Sequence, residues 1–165
     1  MEFPRTRFVF LVPVVTLAVG GAVISATTQD RDVERGRYLS IISGCNDCHT
    51  PGYLEKSGAV PEGLWLTGSP VGFQGPWGTT YPANLRLVAA SMSQAQWLTH
   101  ARVARRPPMP WFNVREMSDS DLSAIYAYLR SLGAGGDSAP TYVPPGEQVA
   151  TPYFDFVPKN LRPAG

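Results

Sequence analysis

Two thiols and an imidazole occur within five consecutive residues, Cys45-Asn46-Asp47-Cys48-His49. This order, C-x-x-C-H, is the sequence signal for covalent attachment of a c-type haem. Two thiols three positions apart at a helix end can both reach the vinyl groups on one edge of a porphyrin, and the next imidazole can approach the iron from one face. The stretch therefore predicts one haem c, bound through Cys45 and Cys48, with His49 as an axial ligand of the iron.

Other kinds of site also contain a C-x-x-C pair. A structural zinc site needs four Cys or His ligands, whereas the chain has 2 Cys and 2 His, which are His49 and His100. A thioredoxin-like redox pair belongs near a βαβ pattern, and nothing strand-like precedes Cys45. A structural disulfide fits an exported chain, but it leaves the adjacent His49 as a coincidence.

Four residues are candidates for the second axial position of the iron: Met92, Met109, Met117 and His100. Met92 and Met117 are suitably placed for hydrophobic staples at the starts of predicted helices, and a histidine in mid-helix is typical of the surface. Met109 lies between two prolines, whose fixed backbone suits a rigid loop that holds a weak thioether ligand. We therefore expect Met109 to be the second ligand, with ordinary gap-filling as the alternative.

Three helices are predicted to position these residues, over 30–44, 91–106 and 118–132. The first ends at Gly44, directly before the haem motif, and includes Gly36, which weakens a helix and so indicates a close crossing by another element. The last has the clearest apolar stripe at spacings of three and four.

Helix caps can also be assigned from the sequence. Ser93 with Gln96 and Ser118 with Asp121 predict capping boxes at the second and third helices. Asp30 or Asp32 is expected to cap the first helix.

The segment 50–85 contains many Pro and Gly residues and predicts a long irregular loop without strands. Such a loop is expected to wrap one edge of the cofactor, and Pro61 or a neighbour could offer a carbonyl to the far nitrogen of His49. Four aromatic residues in it are either apolar walls for the cofactor or ordinary core residues: Trp65, Phe73, Trp77 and Tyr81.

The two ends of the chain differ from its middle. Residues 1–26 have a basic start and 19 uncharged residues after it, which predicts a signal peptide or N-terminal anchor. Residues 27–135 form the predicted haem-binding domain, and 136–165 a linker and extended Pro-rich tail, which lies over the domain or on a partner. Either fate of residues 1–26 puts the domain in the periplasm, soluble or anchored by an uncleaved segment.

The charge distribution constrains the partners. The net charge is only +1, which argues against nucleic-acid binding. No Asp or Glu occurs between Glu62 and Glu116, and this interval is either a docking surface for an acidic partner or a set of scattered, solvated arginines. The arginines in it are Arg86, Arg102, Arg105, Arg106 and Arg115.

Several of these motifs together resemble class I monohaem cytochromes c over about residues 31–133. The likeness is greatest to bacterial periplasmic cytochromes c related to dehydrogenase cytochrome subunits. The motifs that carry it are Gly36-x-Tyr38-Leu39, Cys45-Asn46-Asp47-Cys48-His49-Thr50-Pro51, Gly75-Pro76-Trp77-Gly78-Thr79-Thr80-Tyr81, Arg106-Pro107-Pro108-Met109-Pro110-Trp111 and Ile125-Tyr126-Ala127-Tyr128-Leu129.

The resemblance implies a small all-α fold, with three or more helices around one covalently bound haem. It implies a crossing of the first and last helices near Gly36 and Tyr126 or Tyr128. It also implies iron ligation by His49 and Met109 and thioether bonds from the two cysteines. One difference is that residues 81–84 read Tyr-Pro-Ala-Asn, where related chains often read Tyr-Ala-Pro-Asn.

These observations predict a one-electron carrier rather than an enzyme, because two filled axial positions leave O₂ and peroxide no easy place to bind. Its partner would be a dehydrogenase, an oxidase or another cytochrome. A permanent cytochrome subunit of a dehydrogenase complex is one alternative, and membrane association through residues 1–26 is compatible with either. An open-site haem enzyme or gas-binding protein is the other alternative, and it requires that Met109 is not bound.

Overall fold

A computed structural model describes residues 27–159 of the 165-residue chain. The predicted signal peptide or anchor, 1–26, lies outside the described residues, as does the end of the tail, 160–165. Within residues 27–159, no helix has both the length and the apolar character needed to cross a membrane.

The described residues are mainly helical and carry one small sheet. The helices are α1 (Thr28–Ile42), α2 (Cys45–His49), α3 (Leu85–Ala90), α4 (Gln94–Ala101), α5 (Trp111–Arg115) and α6 (Asp119–Leu132), with a 3-10 turn at Glu62–Leu64. The strands are β1 (Gly72–Gly75), β2 (Gly78–Thr80) and β3 (Tyr153–Asp155), in the order β2-β1-β3. The predicted helical fold is therefore confirmed, and the sheet is an addition to it.

The crossing of α1 and α6 is the main helix contact, and it confirms the prediction from Gly36. A Cβ atom at Gly36 would lie 2.5 Å from the carbonyl carbon of Ala124 and 2.8 Å from the Cβ of Tyr128. Only glycine lets the two backbones approach so closely. Since α1 leads directly into α2, this crossing fixes where the Cys45–His49 stretch begins.

The predicted helix caps are partly right. α1 is capped by Thr27 in a capping box with Asp30, so Asp30 occupies the third helical position and is not itself the cap. Ser93 and Gln96 form the predicted box. Ser118 caps α6, but the Asp121 carboxylate accepts from Arg35 at 2.7 Å instead of completing a box.

The predicted helix 91–106 is wrong in its bounds. Two helices, α3 and α4, lie in this region instead; residues 91–93 separate them, and α4 ends at Ala101. At that end the Arg102 side chain turns back to donate to the carbonyl of Leu98 at 3.0 Å. This carbonyl is the acceptor that a continued helix would have given to the Arg102 N–H.

The prediction that 50–85 lacks strands is also wrong. β1 and β2 form an antiparallel hairpin in which Phe73 pairs with Thr80, and β3 from the tail lies parallel to β1. The tail is extended, as predicted, and its strand lies on the domain. Its pairing with β1 explains how so short and glycine-rich a hairpin is held.

Arg86 connects α3 to the end of α6. Its side chain is buried, with 7% of the residue exposed. Its guanidinium donates to the carbonyls of Gly133 at 2.6 Å, Gly63 at 2.7 Å and Leu132 at 2.5 Å. A cation at a helix C-terminus satisfies the last carbonyls, so Arg86 ends α6 and fixes the start of the linker.

Candidate functional site

The two cysteines are presented by a short helix that follows α1 after a tight turn. Gly44 adopts a left-handed conformation (φ 68°) between α1 and α2, which glycine tolerates best. Cys45 and Cys48 are three residues apart on α2, so their side chains lie on one face. Both are free thiols and half-buried. This placement lets both sulfur atoms form a bond to the same bound molecule.

The thiols are not activated nucleophiles. Burial and, to a lesser extent, the nearby Asp47 carboxylate raise the pKa of Cys45 to about 11. Burial and Asp47 also raise the pKa of Cys48. Both groups are therefore neutral at neutral pH, which is contrary to the depressed pKa of a thioredoxin-like redox pair.

The imidazole of His49 is anchored in one tautomer. Its Nδ1 lies 2.7 Å from the carbonyl oxygen of Ala83 and donates to it, and only 8% of the residue is exposed. Burial lowers the pKa of His49. The ring is thus neutral with its proton on Nδ1, and the lone pair on Nε2 is left for a metal.

The acceptor for His49 was predicted to be Pro61 or a neighbour, and this prediction is wrong. Pro61 precedes the 3-10 turn. Ala83 is the acceptor because the segment after β2 runs past α2. Gly68, which precedes β1, lies at the same place, and its N–H donates to the backbone carbonyl of His49 at 2.8 Å. A backbone acceptor leaves no trace in the sequence.

Asn46 and Thr50 were not predicted, and they fix α2 from within. The Thr50 hydroxyl donates to Asn46 Oδ1 at 2.6 Å and accepts from the Leu66 N–H at 2.8 Å. Asn46 is completely buried, and among the described residues its Nδ2 has no hydrogen-bond partner. Their position inside and just after the C-x-x-C-H stretch was the only signal that could have identified them.

Met109 lies half-buried in the irregular segment between α4 and α5. Its carbonyl accepts from the Trp111 N–H at 2.8 Å. The Thr80 hydroxyl, at the end of β2, donates to the carbonyl of Pro107 at 2.8 Å. Residues 80–83 therefore contact both the His49 imidazole, through Ala83, and the segment that carries Met109.

The other candidates for an axial ligand have structural roles. Met92 and Met117 pack against the hydrophobic core. His100 stacks on Trp97, and its Nε2 lies 2.9 Å from the guanidinium of Arg105. Burial and this positive charge lower the pKa of His100, so its ring is a neutral acceptor already in use.

The four aromatic residues of segment 50–85 that were candidates for cofactor walls all have protein partners. The Trp65 indole is buried and donates to the carbonyl of Val60 at 2.8 Å. The other three contact the tail: Phe73 packs on Phe154 and Phe156, Trp77 on Phe156, and the Tyr81 hydroxyl lies 2.6 Å from Thr151.

Three of the five arginines in the interval without acidic residues are used within the fold. Arg86 is buried, Arg102 pairs with Asp119 at 2.6 Å, and Arg115 pairs with Glu116 at 2.9 Å. Arg105 and Arg106 are exposed and, within residues 27–159, form no ion pair with a carboxylate. The surface available to an acidic partner is smaller than the sequence indicates.

The donor set fits a covalently bound haem and no other common site. Two neutral thiols on one helical face and a tethered neutral imidazole match the needs of thioether formation and iron ligation. Within the described residues, no group of three or more His, Cys, Asp or Glu side chains could hold a metal ion. A zinc site is thereby excluded for this part of the chain.

Comparison with known proteins identifies the family. The family model for cytochrome c matches residues 33–133, which is more than half of the chain. No curated protein and no solved structure gave a match. The matched range includes the C-x-x-C-H stretch and Met109, and it ends directly after α6, so the tail lies outside it.

This match confirms the predicted cofactor and the general activity. A cytochrome c domain carries a covalently bound c-type haem with iron, and the spacing of Cys45 and Cys48 fits its attachment motif. Such domains transfer electrons through the haem and exchange them with partner proteins. The chain belongs to the cytochrome c family.

Proposed function

We propose that this protein is a periplasmic one-electron carrier in which His49 and Met109 are the two axial ligands of the iron. Cys45 and Cys48 hold the haem through thioether bonds. The observation that carries the proposal is the shared anchorage of both ligand segments. Residues 80–83 bind the imidazole of His49 through Ala83 and the carbonyl of Pro107, two residues before Met109, through Thr80.

The bound haem supplies a centre that gains and loses one electron, and a Met/His ligand pair raises its potential. With haem bound, His49 and Met109 would fill both axial positions of the iron and exclude other ligands. The Ala83 carbonyl keeps the imidazole of His49 oriented, and the loop that carries Met109 is fixed at Pro107. Two occupied positions favour electron transfer over reaction with O₂ or peroxide.

The proposed location follows from the first 26 residues. Arg5 and Arg7 precede 19 uncharged residues, a pattern typical of export signals and of single anchors. In bacteria, c-type haem is attached outside the cytoplasm. An uncleaved segment would add membrane association without changing the redox chemistry.

The proposal is tested by the access of carbon monoxide to the reduced holoprotein. We expect the wild type to be low-spin and to bind carbon monoxide weakly. Met109→Ala should bind it readily and have a lower reduction potential, because one axial position is open. Met92→Leu is the matched control, since Met92 packs against the core and its replacement should leave both properties unchanged.

Carbon monoxide binding by the wild type that equals that of Met109→Ala would contradict the proposal. That outcome would favour the open-site haem enzyme or gas-binding protein. If only Met92→Leu changed the access of carbon monoxide, the axial ligand would be Met92 and not Met109.

A second candidate, a permanent cytochrome subunit of a dehydrogenase complex, is favoured by the surface of the tail. Tyr153, Phe154, Phe156 and Val157 are 42–50% exposed and lie next to one another in sequence. Native extracts should then contain the protein in a larger assembly, and Tyr153→Asp with Val157→Asp should release it. Migration of the wild type as a monomer in such extracts would refute this candidate.

A further inference from the structure

We propose that the tail is a strap that positions the loop carrying Met109, and that Tyr142 is the positioning residue. The strap is residues 141–157, and the ligand loop is residues 102–110. This inference rests on the proposed ligation by Met109 and assigns a role to a segment outside the range 33–133 that the cytochrome c family model matches.

Tyr142 contacts the ligand loop directly. The guanidinium carbon of Arg106 lies 3.9 Å from the centroid of the Tyr142 ring, which is the geometry of a cation–π contact. Arg106 is three residues before Met109 and forms no ion pair with a carboxylate within residues 27–159. Within the described residues, the Tyr142 ring is thus the contact that its charge makes.

The ring of Tyr142 is itself fixed by the hairpin. Its hydroxyl donates to the carbonyl of Trp77 at 2.8 Å. The next residue, Val143, forms two backbone hydrogen bonds with Thr79, of 2.8 and 3.0 Å. A Cβ atom at Gly78 would lie 2.9 Å from the Tyr142 ring and would clash with the carbonyl of Val143. The backbone of Gly78 therefore packs directly on that of Val143, and the Tyr142 ring has little freedom to move.

Further contacts hold the strap along its length. β3 pairs with β1, and the N–H of Phe156 donates to the carbonyl of Gln74 at 2.7 Å. The Tyr81 hydroxyl lies 2.6 Å from that of Thr151. The strap is thus part of the sheet, and it extends the rigid hairpin toward the ligand loop.

Two of the contacts that hold the ligand loop consequently come from the sheet and the strap paired with it. One is the hydrogen bond from Thr80 to Pro107, which belongs to the matched domain. The other is the contact of Tyr142 with Arg106, which only the strap provides. Loss of the second contact should let the Met109 thioether leave the iron more often, without opening the core.

The experiment measures competition by imidazole for the Met109 position in the oxidised, full-length holoprotein. Cation–π contacts at exposed sites are modest, so Arg106→Gln and Tyr142→Leu should each raise the apparent affinity for imidazole by about two- to five-fold. The double variant should equal either single variant, because each change removes the same contact. Tyr142→Phe keeps the aromatic face and should stay within about twofold of the wild type.

Arg105→Gln is the matched control. Arg105 is also exposed and adjacent in sequence, but it donates to His100 rather than to the strap. Its replacement should leave the affinity for imidazole unchanged. Arg106→Gln changes an exposed side chain, and an unchanged far-ultraviolet circular dichroism spectrum will verify that the variant is folded.

Two outcomes would overturn the inference, and they can be distinguished. If the wild type shows the Met sulfur–iron absorption band but Arg106→Gln and Tyr142→Leu bind imidazole as the wild type does, the strap has no positioning role. If the wild type lacks that band, ligation by Met109 fails, and the strap inference fails with it.

Discussion

Replacement of Gly36 by alanine tests the helix crossing on which the haem motif depends. A Cβ atom there would lie 2.5 Å from the carbonyl carbon of Ala124 and 2.8 Å from the Cβ of Tyr128. Ordinary contacts between such atoms exceed 3.4 Å, so α1 and α6 must separate by about 1 Å. The groups in the way are backbone and a Cβ atom, which no side-chain rotation can move.

The expected loss of stability can be estimated from two opposing effects. Overpacking of this kind costs about 1–3 kcal/mol, and the upper part of that range applies when backbone is displaced. Alanine is about 1 kcal/mol better than glycine within a helix. The net change should be about 2 kcal/mol of destabilisation, which lowers the melting temperature by roughly 4–8 °C for a chain of this size.

The assay is denaturant unfolding of the holoprotein, followed by tryptophan fluorescence, for Gly36→Ala and the larger Gly36→Val. Gly63→Ala is the control, because a Cβ atom at Gly63 meets nothing within 4 Å. Stability should fall from wild type to alanine to valine at position 36 and stay nearly constant in the control. A Gly36→Ala protein at least as stable as the wild type would refute the reasoning, since the cost of overpacking would then not exceed the gain in helix propensity.

Three further predictions concern the residues that support the site. Arg86→Met should reduce the free energy of unfolding by about 2 kcal/mol, because three part-buried carbonyls lose the hydrogen bonds from their charged donor; an effect below 1 kcal/mol in denaturant unfolding would contradict this. His100→Gln should leave the haem spectrum unchanged. It should also weaken the loss of stability below pH 6.5, since the pKa of His100 is lowered in the native protein and the unfolded chain therefore takes up a proton there more readily. A pH dependence of unfolding identical to that of the wild type would be evidence against it. Thr80→Val should weaken the Met sulfur–iron band at elevated temperature, whereas Thr80→Ser, which keeps the donor to Pro107, should not; equal behaviour of the two variants would show that this hydrogen bond does not hold the loop.

The parts of the fold that the sequence predicted correctly depend on local signals. The C-x-x-C-H stretch identified the cofactor because the spacing of its two thiols and its imidazole is what attachment and ligation of a haem require. Gly36 indicated a helix crossing because glycine destabilises a helix and is typical of a position where another backbone approaches closely. Ser118 and the apolar stripe after it defined α6 to within one residue.

The parts that were predicted wrongly depend on contacts between distant residues. β1 and β2 are three or four residues long and rich in glycine, and β1 is completed by β3, about 80 residues later. The His49 acceptor is a backbone carbonyl, that of Ala83, which every residue type possesses. Arg86 carries a charge and is nevertheless buried, because three helix-end and loop carbonyls converge on it.

Ligation by Met109 remains the central prediction, and the absorption spectrum of the oxidised holoprotein tests it most directly. A sulfur–iron bond gives a weak charge-transfer band at the red end of the spectrum. We predict this band in the low-spin wild type, its complete loss in Met109→Ala, and its retention in Met92→Leu. A high-spin wild-type spectrum without the band, or a band that survives in Met109→Ala, would contradict the account.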